Sequence, residues 1–299
     1  MDLTLYWFMF PVSILVAATA MLTGIGGAAY FVPIFWIIFP LLGPEYGIGD
    51  AQVIAVALFT EVFGFSSGFV GYYHKKLIDF KIGRAFFVYS VVAAVVGAII
   101  LIAGWIASAY LQLIYAVMML FVAYLLYSGA EDTGTPLSTG DNSMPATAIG
   151  DEHRTVDNMG NIYSYRFHTP RGVGGSVLAF GGFLTGLVGV GIGEVTIPLL
   201  VRRYRIPVAV AAATSILVVI VTVMSASFAQ FIGLMTADRG GVPWHLIMYT
   251  VPAVVIGGQI GPRLQGVIPA RIVEKVIATL FVVIAIAFFI LVFRALLGQ

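Results

Sequence analysis

The sequence predicts an all-α integral membrane protein of two inverted repeats, each a Gly-broken helix hairpin followed by three transmembrane helices. Three observations predict it. The first is composition: of 299 residues, 60% are hydrophobic and only 10% are charged, whereas a soluble domain carries about 25% charge. Mean hydropathy is +1.02. The second is a series of apolar stretches at 5–42, 51–73, 83–104, 109–129, 173–201, 206–236, 243–262 and 272–297. Each reaches the ~20 residues that cross a ~30 Å hydrocarbon core. The third is an internal repeat. Gly24-Ile25-Gly26 followed by Pro33 matches Gly189-Val190-Gly191 followed by Pro198 at equal spacing. Ala55-Val56-Ala57 with Thr60 matches Ala209-Val210-Ala211 with Thr214, and later Phe80 pairs with Trp244 and Gly104 with Gly266. Small residues are common in membrane helices, so the weight lies in the preserved order.

The same arithmetic excludes a soluble enzyme and a disordered chain, and a net charge of +1 gives no sign of a nucleic-acid partner. With no cysteine there is no disulfide frame, thiol nucleophile or thiolate metal site. Met1-Asp2-Leu3 is not a basic leader, and the first apolar run outlasts a signal-peptide core, so it reads as the first membrane element.

The first repeat covers 1–130 and the second 172–299. Between them, 131–171 is the sizeable aqueous piece, with Glu131, Asp132, Asp141, Asp151, Glu152 and Asp157 against Arg154, Arg166 and Arg171. Within it, Thr155-Val156-Asp157 and Ile162-Tyr163-Ser164-Tyr165 flank a turn at 158–161, which predicts a small β-hairpin in a polar linker. A solvated connector is the expectation for it.

The opening run of each half is too long for one simple crossing at 1.5 Å per residue. Gly24–Gly27 interrupts the first and Gly189–Gly193 the second. Charge decides between a fold-back and a kink. Lys75, Lys76, Lys81 and Arg84 mark one cytoplasmic loop, and Arg202, Arg203 and Arg205 mark another. If both opening runs fold back, these loops share the cytoplasm with 131–171, and both termini lie outside. Each half then crosses an odd number of times, so the halves are inverted.

Broken helices free backbone groups that hydrocarbon cannot satisfy, and such backbone is tolerated only when buried in protein or lining a wet cavity. The helices restarting after Gly26-Gly27 and after Gly191-Ile192-Gly193 point free amides at the breaks, where partial positive charge favours an anion. Gly24, Gly26, Gly27, Gly189, Gly191 and Gly193 are therefore candidate substrate-binding residues. Gly64/Gly68, Gly182/Gly186, Gly189/Gly193 and Gly257/Gly261 also have GxxxG spacing, and for Gly257/Gly261 alone close helix packing is the reading.

These duplicated Gly motifs with their prolines, the Ala-x-x-Thr pairs at Ala57–Thr60 and Ala211–Thr214, and the two-half plan around a polar loop resemble the TauE/SafE family. It is also called the toluene-sulfonate uptake permease family. The resemblance covers nearly the whole chain. It implies a secondary carrier of small anions such as sulfite, sulfonates or other sulfur-containing acids, in a family that holds both importers and exporters.

Two residues depart from the family pattern. Glu194 follows Gly193, and Glu61 follows Thr60 about 15 Å along its apolar run. An ionised acid at a helix centre costs about 2.5–3.5 kcal/mol on insertion scales, so intramembrane acids are functional candidates by default. Burial disfavours the charged form, which makes Glu61 and Glu194 candidates for proton coupling. A structural role is open for each: Glu194 as a cap on its own helix start, Glu61 as a hydrogen-bonded neutral acid. The pair could equally form a cation site. Thr60 and Thr214 are retained as binding candidates because they occupy matching repeat positions, and Ser215 because it stands opposite Glu61 in that comparison. His74 and His245 lie at run boundaries and read as interfacial packing.

Rival classes are an anion channel, a cation or cation-coupled carrier, and an intramembrane enzyme. Gly47-Ile48-Gly49-Asp50 fits the GxGD pattern of intramembrane aspartyl proteases, but no second membrane aspartate faces it, and Asp50 reads as a helix N-cap. Gly-x-Ser-x-Gly, HExxH and Walker patterns are absent from the sequence. No cofactor or metal is expected. The reading is a multi-pass inner-membrane carrier with partners limited to a small anion, the bilayer and, on the coupled reading, protons. Its oligomeric state is left open.

Overall fold

The computed structural model describes residues 5–132, 151–158, 160–236, 241–264 and 270–297. The acidic residues of 133–150, the outer part of the 237–242 turn and Gly266 lie outside the described residues.

Helix α1 (Met9–Thr23) stops at Gly24, whose φ of 73° turns the chain left-handed while its amide still closes on the Ala20 carbonyl. A residue with a side chain would be strained there, which is why the stop is glycine. The chain restarts as α2 (Ala28–Pro33). Pro33 has no N–H to donate, and the helix widens behind it into a π turn, Ile34–Ile38, before α3 (Phe39–Leu42). The second half repeats this syntax. Helix α7 (Val173–Val188) ends at Gly189 with φ 84°, α8 (Ile192–Pro198) follows, and a π turn runs Leu199–Arg203.

Both broken elements fold back. The Tyr6 ring lies 5.3 Å from Phe39 and 5.7 Å from Tyr46, so the first run returns to the level at which it began. In the second, Phe167 and His168 lie 5.5 and 5.1 Å from Tyr204. The first half continues with α4 (Asp50–His74), α5 (Phe80–Ala103) and α6 (Ser108–Asp132), joined by two short loops. The second continues with α9 (Val208–Thr236), α10 (Trp244–Leu264) and α11 (Ala270–Leu296). Among the described residues, five helices are long and apolar enough to cross a membrane: α4, α5, α6 over Ser108–Ser128, α9, and α11 over Ile272–Ala295. Helix α10, with 21 residues, is about 32 Å long. The protein is an all-α membrane protein.

The halves interleave. Helix α1 lies along α10 and α7 along α5, while α10 also packs on α4, α5 on α9, and α6 on α11. Glycines permit close approaches of α7 to α5 and of α10 to α1. A Cβ at Gly182 or Gly186 would enter the backbone of Ser90 or Ala94 on α5, and one at Gly257 or Gly261 would enter the backbone of Ile14 or Ala18 on α1.

The two ends of α4 define two faces. At its start, Gln52 Nε2 donates to the Gly241 carbonyl (2.8 Å), and the Tyr6 ring lies tilted against His245 (5.0 Å). The cap there is Gly49 rather than Asp50. Asp50 sits in the first turn and accepts from Trp36 Nε1 (2.9 Å) and from the Ser108 hydroxyl. At the other end lies an antiparallel hairpin of β1 (Asp151–Val156) and β2 (Ile162–Phe167), with His153 opposite Tyr165. Its turn amide at Asn158 donates to the Lys75 carbonyl (3.2 Å), and Phe86 on α5 meets Tyr204 at 5.6 Å. The loop after α4 and the chain after α8 therefore share this hairpin face. The hairpin is not a free connector, because Tyr165 and Phe167 are buried beneath it.

Candidate functional site

The site is built where the tips of the two broken elements cross. A Cβ added at Gly193 would lie 3.4 Å from the Gly26 amide nitrogen, and one at Gly24 would lie 3.0 Å from Ile197. Glycine at these positions lets the tips touch through backbone. The restart of each helix leaves amides without intrahelical acceptors, among them those of Gly26, Ala28 and Gly191 at the two tips. They are met by carboxylates of the chain itself.

Glu194, buried in the first turn of α8, spans both tips. Its Oε2 accepts from the Gly191 amide (2.9 Å), capping its own helix, and its Oε1 accepts from the Gly26 amide of the other half (3.2 Å). Glu61, projecting from α4, accepts from the Ala28 amide through Oε2 (2.9 Å). Its second oxygen turns toward Gly26, where an added Cβ would lie 3.0 Å from Glu61 Oε1 and 3.2 Å from Glu194 Oε1. Two buried carboxylates, 4% and 7% exposed, thus converge on one glycine. Within-break help differs between the halves. The Ile192 amide donates to Thr185 Oγ1 (2.8 Å), whereas the first break has no comparable hydroxyl among the described contacts. Tyr115 steadies α2 by donating to the Ala29 carbonyl (2.7 Å).

Thr60, Glu61 and Gly27 line a cavity of about 10 Å³ with Gly64, Phe65 and Val254. That is room for about one water. Thr60 Oγ1 is paired with Thr250 Oγ1 across the halves at 2.9 Å.

The structure brings together Gly26, Gly27, Gly191, Gly193, Glu61, Glu194 and Thr60, with Gly24 and Gly189 as the stops behind them. Thr214 stands apart. It accepts from the Asp79 amide (3.0 Å) beneath the hairpin face, because α9 begins only six residues before it while α4 begins ten residues before Thr60. Val219, not Thr214, is the α9 residue beside Gly193. Ser215 lies one helical turn from Val219 and bonds to the Ala212 carbonyl (2.8 Å). Thr185 carries no duplicated signal: its position in the first half is Ala20 if the Gly and Pro spacing is followed.

Two broken helices crossing among helices long and apolar enough to span a membrane mark a multi-pass membrane protein. The chain belongs to the sulfite exporter TauE/SafE family, whose model matches residues 9–288. It is similar to the probable membrane transporter protein YunE of Bacillus subtilis (strain 168), with 22% identity over 263 residues, covering 88% of this chain and 89% of that protein. No solved structure matches it. Members of the family are transporters, so the chain is not an enzyme.

Proposed function

We propose that the protein is a secondary active carrier of a small oxyanion, such as sulfite, an organosulfonate or a related organic acid, across the inner membrane. One observation carries the reading. The Glu194 carboxylate bridges an amide from each tip, Gly26 and Gly191, as a two-oxygen anion would. The substrate anion takes that place when Glu194 leaves it. Glu194 takes up a proton, its neutral carboxyl gives up the charge-assisted bonds, and the oxyanion binds to the amides near Gly26, Gly27, Gly191 and Gly193. Thr60 lies at the edge of this place. Thr214 and Ser215 act from the hairpin side as the halves rock. One anion and one proton then move together.

The interleaved packing of α1 on α10 and α7 on α5 supports two inverted repeats rocking about this site. The basic residues Lys75, Lys76, Lys81, Arg84, Arg202, Arg203 and Arg205 support a cytoplasmic hairpin face, with linker 131–171 inside and both termini outside.

A second reading rests on the convergence of Glu61 and Glu194 on Gly26: two carboxylates side by side also suit a cation. Purified protein screened by thermal shift against sulfite, sulfonates, thiosulfate, carboxylates and alkali cations separates the two, since stabilisation follows occupancy. An oxyanion shift supports the first reading, and a shift with cations alone supports the second. Counterflow of labelled sulfite in proteoliposomes then tests the carrier. Acceleration by internal sulfite is expected, and large unitary currents without counterflow would indicate a channel.

A further inference from the structure

We propose that the β1–β2 hairpin is a clasp that fastens the two halves together on its face and must let go before that face opens. A two-stranded hairpin is marginal alone, so its shape depends on what it grips. Its gripping residues share one side of the strands. His153 and Tyr165 are cross-strand partners, and both reach Asp79 Oδ2, His153 through Nδ1 (2.8 Å) and Tyr165 through its hydroxyl (2.8 Å). Tyr165 accepts in turn from Thr155 Oγ1 (2.7 Å). Phe167 sits between Phe86 of the first half (6.0 Å) and Tyr204 of the second (5.5 Å).

Asp79 is the hub of the grip. Its Oδ1 caps α5 by accepting from the Lys81 and Ile82 amides (2.9 and 3.1 Å), while its own amide donates to Thr214 Oγ1 on α9 (3.0 Å). One residue therefore joins a first-half loop, a second-half helix and the hairpin. The Asn158 amide, bonded to the Lys75 carbonyl, fixes the hairpin turn over the same loop. On the opposite face the halves meet through Gln52 and Gly241 and through Tyr6 and His245, with no strand pair across them among the described residues. The clasp is thus confined to one face, and its release is a step that the other face does not require.

The inference rests on the transporter reading only in requiring the halves to part, and its test needs no substrate. The chain has no cysteine, so single cysteines report cleanly. Ser215→Cys, buried one residue past Thr214, is treated with a maleimide in full-length protein held in nanodiscs. With His153→Ala and Tyr165→Phe added, labelling is expected to rise at least fivefold. With Lys75→Cys and Asn158→Cys joined by a disulfide, so that Ser215→Cys remains the one free thiol, it is expected to fall below the rate of Ser215→Cys alone. Hydrogen exchange at 79–83, run on the same His153→Ala/Tyr165→Phe change without the added cysteine, covers the case in which Ser215→Cys fails to fold. Faster exchange there is expected. Labelling and exchange both unchanged by releasing the hairpin would overturn the clasp, whatever the protein carries.

Discussion

The two breaks look alike in sequence and are held differently. The second break is largely self-contained: Glu194 from its own first turn caps Gly191, and Thr185 from the helix before it takes the Ile192 amide. The first break has no acid of its own. Its Ala28 amide depends on Glu61 from α4, and its Gly26 amide depends on Glu194 from the other half. The lesson is that the two breaks share their backbone syntax, a glycine stop, a restart and a proline π turn, but not the way it is satisfied. The first break is completed by the assembly, and Glu194 is the residue on which both depend.

That asymmetry can be broken at several points. The largest effect is expected for Glu194→Ala, which strands the Gly26 and Gly191 amides together. At about 1–3 kcal/mol for each buried donor left unsatisfied, the loss is roughly 2–6 kcal/mol, read as a fall in thermal unfolding temperature of the purified protein. Glu61→Ala strands the Ala28 amide, for roughly 1–3 kcal/mol. Should it cost more than Glu194→Ala, the dependence on Glu194 is misplaced. Thr185→Val is next, with about 1–2 kcal/mol lost through the Ile192 amide. Its contrast is Thr23→Val beside the first break. Among the described residues the Thr23 hydroxyl meets the Thr19 and Ala20 carbonyls and the Tyr30 hydroxyl and no backbone amide, so that change should cost about 0.5 kcal/mol.

The smallest expected effect concerns pH at the hairpin. Burial pushes the Asp79 carboxyl up, but bonds from the Ile82 amide, His153 and Tyr165, with the attraction of His153, outweigh it, and the group sits below its ordinary 3.8. A carboxyl lowered by folding stabilises above its unfolded value and loses that contribution as pH falls through the folded one. The grip on Asp79 should therefore hold from neutral pH to about 4 and weaken only below it. Hydrogen exchange at 163–167 followed down in pH checks this, and loosening already at pH 6 would contradict it.

Much of the site was legible because charge is scarce and the repeat is ordered. Glu61 and Glu194 stood out as acids inside apolar runs, and Gly24 with Pro33 announced Gly189 with Pro198. The capping of α8 by Glu194 follows from its place three residues after Gly191. Its reach to Gly26 did not, because that contact joins residues 168 positions apart. Thr214 was matched to Thr60 by a local motif, yet depth in the bundle is set by where each helix begins, and α9 begins closer to its threonine. Nothing in the sequence singles out Asp79, since its partners His153 and Tyr165 lie in a segment that reads as a polar connector. Nothing in the spacing marks Thr185.

The central claim is that a substrate oxyanion and a proton exchange for the Glu194 carboxylate between the Gly26 and Gly191 amides. The direct measurement is labelled sulfite accumulation in proteoliposomes under an imposed pH gradient, corrected for protein-free liposomes, for the wild type and Glu194→Gln. The account predicts gradient-driven accumulation in the wild type and its loss in Glu194→Gln, with counterflow retained in both. Equal accumulation in the two proteins would contradict it.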